Sequence, residues 1–157
     1  MTLPGLPVDG RQSAAALVIQ RGAGRLLRQY GMAPVPEVPL PNGRRADFAA
    51  VGRRGDLWIV EIKSSIIDFQ VDRKWPEYLS FCDRLFFAVG PDFPLDLLPE
   101  AAGIIVADLY GGSLLREAPE QRLAAPARKA MTLLLARLAA ARLHQAMDPE
   151  AGFDFIG

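Results

Sequence analysis

A chain of 157 residues, half of them hydrophobic and 23% charged, can bury a sizeable core and is too apolar to stay disordered along its length. Its 18 basic and 18 acidic side chains cancel, which excludes a surface coated in positive charge but leaves room for a local basic groove. The single cysteine, Cys82, excludes an internal disulfide and suits a reducing cytoplasm, and no apolar run reaches the ~20 residues needed to cross a membrane.

The expected organisation is one domain over 1–157, with 1–10 a loose arm. That arm holds two prolines and no basic stretch leading into an apolar one, so it does not read as a signal peptide. From Arg11 to Tyr30 the apolar residues Ala14, Leu17, Val18, Ala23, Leu26, Leu27 and Tyr30 recur at helical spacing. Gly22 and Gly24 weaken that helix by roughly 1 kcal/mol each relative to Ala, and they would permit close approach to a sheet. Gly31 is placed to end it. Val35–Leu40 reads as an extended segment that its two prolines confine to an edge strand or an irregular one. Pro41-Asn42-Gly43 signals a turn, and Arg45–Val51 a strand.

Residues 52–56 form a tight glycine-bounded connection into Leu57–Ser65, the clearest strand of the chain. Trp58, Ile59, Val60 and Ile62 make it nearly continuous in apolar residues, as a central strand buried on both faces would be. A helix is expected over Asp72–Phe81, with Pro76 in its first turn. Leu85–Val89, Gly103–Ala107 and Ser113–Arg116 read as strands, separated by the proline-punctuated loop 90–99 and the Gly111-Gly112 turn. A helix rich in Ala, Leu and Arg closes the pattern over 124–147. The order predicts an α/β domain with a mixed central sheet flanked by helices.

The chemistry concentrates in Asp47 and in Glu61-Ile62-Lys63. Strand side chains alternate, so Glu61 and Lys63 share a face with Leu57 and Ile59. If 52–56 is the hairpin loop, Val51 lies opposite Leu57, and counting back sets Asp47 opposite Glu61. Two carboxylates facing each other across strands repel. A hard divalent cation, Mg²⁺ or Mn²⁺, would neutralise them, with the Ile62 backbone carbonyl as a further oxygen ligand. Such an ion activates water and offsets charge on a phosphate, while Lys63 stabilises the same developing charge.

Asp47 followed by Glu61-Ile62-Lys63, after a helix and a strand, resembles the PD-(D/E)XK nuclease pattern. The resemblance implies a restriction-endonuclease-like core with Asp47 and Glu61 as metal ligands and Lys63 as the catalytic lysine. Ala46 stands where the pattern has proline. The acidic residue that many members carry in the first helix is missing between Arg11 and Tyr30, and Glu37 is the candidate to replace it. A closer likeness rests on Asn42-Gly-Arg-Arg-Ala-Asp47, Val60-Glu-Ile-Lys-Ser-Ser65, Asp68-Phe69, Asp72-Arg-Lys-Trp-Pro-Glu-Tyr78, Cys82-Asp83 and Ile105-Val-Ala-Asp108. Over about residues 14–143 the chain is similar to the MmcB-related DNA repair family of bacteria. This implies DNA as partner, and a repair protein as a possible second one. Lys74 and Tyr78, four apart, are similar to a Gln-x-x-x-Tyr element of some superfamily nucleases. With Arg44 and Arg45 they are the candidate DNA contacts.

Plainer roles compete. Arg53 and Arg54 read equally well as phosphate contacts and as a solvated turn; Asp68 and Asp72 could stand just outside the metal's ligands, but Asp72 reads better as the cap of the helix after it. Trp75 and Tyr78 fit packing on the sheet better than base stacking, and Cys82 fits a small buried hydrophobe. His144 suits a helix C-terminus, Asp108 a turn, and Arg128, Arg137 and Arg142 a solvated helix surface. The function expected is a DNA repair protein with a metal-dependent phosphodiester-hydrolysing site. The alternative is an inactive module of the same fold that binds DNA or protein, and either could be a homodimer through the C-terminal helix.

Overall fold

A computed structural model of the protein describes residues 13–153 and 155, so the expected arm at 1–10 lies outside them. Helix α1 spans Ala14–Gln29, and strands β1, β2 and β3 span Ala33–Pro39, Arg45–Val51 and Leu57–Lys63. A short helix α2, Ile66–Val71, and a 3₁₀ helix, Trp75–Phe81, lead to β4, Arg84–Val89. Strands β5, Gly103–Ala107, and β6, Gly112–Arg116, precede the long helix α3, Ala125–Met147.

The six strands form one sheet in sequence order, β1 to β6. The β1–β2, β2–β3 and β5–β6 pairs are antiparallel, and β3, β4 and β5 run parallel at the centre. The fold is thus the expected α/β class with a mixed sheet, and proline-bearing β1 is an edge. Side-chain alternation sorts the core into two layers. Phe48, Ala50, Val60, Phe86, Ala88 and Ile105 pack under Ile19, Ala23, Leu26 and Leu27 of α1. Ala49, Leu57, Ile59, Leu85, Phe87 and Val89 face Met131, Leu135 and Leu138 of α3, and Tyr78. The second face also carries Asp47, Glu61 and Lys63.

Local sequence explains the ends. Ser13 caps α1 by accepting from the Ala16 N–H at 3.1 Å, and Gly31 follows it with φ +75°. Gly22 does permit close approach: a Cβ there would collide with the carbonyl oxygens of Asp108 and Gly111. Asp108 itself is a turn residue, accepting from the N–H groups of Tyr110 and Gly111. Among the described residues no helix is long and apolar enough to cross a membrane.

Two expectations need correction. The single helix over Asp72–Phe81 does not form. Ser65 and Asp68 cap an earlier start: the Ser65 hydroxyl accepts from the Asp68 N–H at 3.0 Å, and the Asp68 carboxylate from the Ser64 N–H at 3.1 Å. This ends β3 at Lys63 and begins α2 at Ile66. Pro76 has no N–H to continue an α-helix, so the chain restarts as the 3₁₀ segment, with Lys74 just ahead of it. Lys74 and Tyr78 therefore do not share an α-helical face.

Two of the three late arginines are also not solvated. Arg142 is 7% exposed, because it continues the inward stripe Met131, Leu135 and Leu138. Its guanidinium donates to the carbonyls of Pro36 and Glu37 in β1. Arg128 forms a two-pronged pair with Asp83, at 2.6 and 2.7 Å. Asp83 also accepts from the N–H groups of Leu57 and Leu123, both at 2.8 Å, so one carboxylate joins β3, the approach to α3 and α3 itself.

Candidate active site

The β2–β3 register runs Val51↔Leu57, Ala50↔Trp58, Ala49↔Ile59 and Phe48↔Val60, as expected. One step further, carboxylates take over from the ladder. The Asp47 N–H donates to Glu61 Oε1 at 3.0 Å, and the Ile62 N–H donates to Asp47 Oδ2 at 2.7 Å. Each acidic side chain thus reaches across and is held by the other's strand.

Burial dominates the electrostatics of the pair. It raises the Asp47 carboxyl to about 7, against the lowering effect of the Ile62 N–H and the Lys63 charge; the negative charge of Glu37 adds to the rise. Glu61 is raised well above the ordinary carboxylate range by burial first and by the Asp47 charge second. Two such groups hold a proton at neutral pH unless a cation replaces it.

Glu37 lies on the other flank of Asp47. The β1–β2 pairs Pro36↔Phe48 and Val38↔Ala46 bracket the two residues. Glu37 has φ +50°, a left-handed conformation that costs a non-glycine residue about 1–2 kcal/mol. Arg142 holds its carbonyl at 2.6 Å, and Arg45 Nε meets its carboxylate at 2.7 Å. Among the described residues no group of three or more His, Cys, Asp or Glu gathers as a metal cage.

The Lys63 side chain is 6% exposed, and its ammonium donates to Asp72 Oδ2 at 2.7 Å. The other Asp72 oxygen accepts from Arg44 at 3.2 Å and from the Lys74 N–H at 3.1 Å. Burial alone would raise the Asp72 carboxyl, but these donors, Lys63 foremost, lower it on balance. The Arg44 guanidinium lies 4.7 Å from the centroid of the Tyr78 ring, and the Tyr78 hydroxyl donates to the Arg45 carbonyl at 3.0 Å.

The structure therefore gathers Asp47, Glu61, Lys63, Arg44 and Tyr78, with Arg45 and Glu37 as a neighbouring ion pair. Lys74 is exposed and joins the group through its backbone N–H. Tyr78, at 2% exposed, offers no face to a base; it supports Arg44 and the strand end of Arg45 from beneath. Trp75 packs edge-on against Phe87. Asp72 had two readings from the sequence, a group just outside the metal's ligands and, preferred, a helix cap; its side chain serves the site. It closes α2 and clamps Lys63 and Arg44, where a cap for a following helix was expected. Nothing in its spacing from Lys63 announces the contact.

A family described as DNA repair protein MmcB-like matches residues 5–150. Among solved structures, the SPO1766 protein of unknown function from Silicibacter pomeroyi is similar, with 41% identity and a TM-score of 0.84. The similarity covers 92% of this chain and 99% of that one. No curated protein matches the chain.

Proposed function

The chain belongs to the MmcB-like family of DNA repair proteins, and from that premise we propose that it is a divalent-metal-dependent DNA phosphodiesterase of restriction-endonuclease-like architecture. The observation that carries the reading is the buried pair Asp47 and Glu61, each hydrogen-bonded to the other's strand, with the charge of Lys63, itself paired to Asp72, acting on both.

The donor set fits a hard cation. A divalent ion that takes the place of the proton would neutralise both buried carboxylates, and oxygen donors suit Mg²⁺ or Mn²⁺. Asp47, Glu61 and the Ile62 carbonyl would hold it, with water completing the shell; Glu37, tied to Arg45, stands behind them. When bound, the ion supplies a more acidic water and an electrophile for a phosphate oxygen. The Lys63 charge, held by Asp72, would offset the negative charge that the phosphate gains. Arg44 and Arg45, with side chains 21% and 45% exposed, and the exposed Lys74 would meet backbone phosphates.

The reading is tested by incubating the full chain with single-stranded, duplex and branched DNA in Mg²⁺ or Mn²⁺. Cleavage is expected to stop with chelator, and to fall at least ~100-fold in Glu61→Ala and Lys63→Ala, as loss of a charge-stabilising group does elsewhere. Cleavage that survives both substitutions would reject the assignment.

A second reading has one observation in its favour. Each carboxylate of the Asp47–Glu61 pair already accepts one backbone N–H, and no three-residue cage forms among the described residues. That arrangement suits a repair module that binds DNA or a protein without cutting. It predicts DNA binding that chelator leaves unchanged.

A further inference from the structure

Lys63 is a flexible cation set among three carboxylates, and its choice of partner has a consequence. Its ammonium pairs with Asp72 at 2.7 Å. Its charge is nevertheless felt by both Asp47 and Glu61. A lysine side chain has rotamer freedom worth ~2 kcal/mol, so nothing intrinsic keeps it off that pair. An ammonium seated on Asp47 or Glu61 would occupy the oxygens a divalent ion needs.

We propose that Asp72 is a positioning residue that draws the Lys63 ammonium away from the Asp47–Glu61 oxygens, keeping the pair open for a cation. The role rests on the function proposed above. Its geometry is over-determined. Asp72 is fixed by the Lys74 N–H at 3.1 Å and by Arg44 at 3.2 Å, and its side chain is 11% exposed. Arg44 has a second support in the Tyr78 ring at 4.7 Å, a contact that does not depend on the Asp72 charge. Asp72 occupies the link between α2 and the 3₁₀ helix, where the break imposed by Pro76 delivers it to the strand end. The split of the expected helix is therefore what builds the clamp.

The test uses the full chain and reads Mn²⁺ binding by calorimetry, without DNA. Asp72→Asn is expected to weaken Mn²⁺ about tenfold, the usual scale for a residue that orients a metal site from outside it. Asp72→Glu should recover most of the loss. The double variant Asp72→Asn with Lys63→Met should recover it too, because no ammonium remains to intrude. A merely structural Asp72 would show no rescue by removing the lysine. In parallel, the ¹⁵N signal of the Lys63 ammonium, read without metal, should be protected from exchange and coupled to a carboxylate in the wild type and in Asp72→Glu. It should move in Asp72→Asn. Wild-type protein that binds no Mn²⁺ would defeat the functional reading, and the lysine signal alone would then decide the clamp. An unchanged lysine signal in Asp72→Asn, or unchanged Mn²⁺ affinity where the wild type binds, would overturn the proposal.

Discussion

At the scale of single residues, the Asp47–Glu61 pair ties stability to pH with a definite sign. The folded protein holds a proton on Asp47 up to about pH 7, whereas an unfolded aspartate releases it near 3.8. The folded state therefore binds more protons across that window, and stability falls as pH rises through it. Chelated protein is expected to melt at a lower temperature at pH 8 than at pH 5. Asp47→Asn keeps an oxygen for the Ile62 N–H while removing the repulsion, so it should raise the melting temperature at pH 8 by several degrees and change little at pH 5. Mn²⁺ should give wild type the same benefit at pH 8 and give Asp47→Asn much less. Thermal unfolding at the two pH values, with and without metal, checks all three outcomes.

Among the elements, β3 and α3 show what ties the site to the frame. Asp83 opposes the pair in sign. Burial alone would raise its carboxyl, but Arg128 and the N–H groups of Leu123 and Leu57 bring it down to about 2. Its stabilisation is present above the unfolded value of 3.8 and disappears as pH falls through about 2. The shift corresponds to about 2 kcal/mol at neutral pH, so Asp83→Asn should lower urea stability by that order. Arg142→Ala should cost a similar amount and also loosen the left-handed turn at Glu37, because it strips the guanidinium from two β1 carbonyls. Hydrogen exchange of the β1 amides would report that loosening without reference to activity.

Over the whole molecule, what could be read from the sequence was whatever is local or periodic. The register of β2 on β3 followed from a short connection bounded by Gly52 and Gly55, the latter at φ +89°. The two faces of β3 followed from alternation, and the edge position of β1 from its prolines. The contacts that escaped join residues with no periodic relation: Lys63 to Asp72, nine apart; Asp83 to Arg128, 45 apart; and Arg142 to Glu37, 105 apart. Charged residues carry no sign of burial until a partner is known. Arg142 had one weak signal, its place on the stripe of Met131, Leu135 and Leu138. The split of the expected helix was written in Ser65-x-x-Asp68 ahead of Pro76, a capping pattern outweighed by the run of helix-compatible residues after it.

A crystal of the full chain soaked in Mn²⁺ and measured at the manganese edge would show where the ion sits. One anomalous peak is expected within ~2.0–2.6 Å of carboxylate oxygens from both Asp47 and Glu61, with the Lys63 ammonium still on Asp72. A crystal with ordered manganese elsewhere, and none between those two side chains, would contradict it.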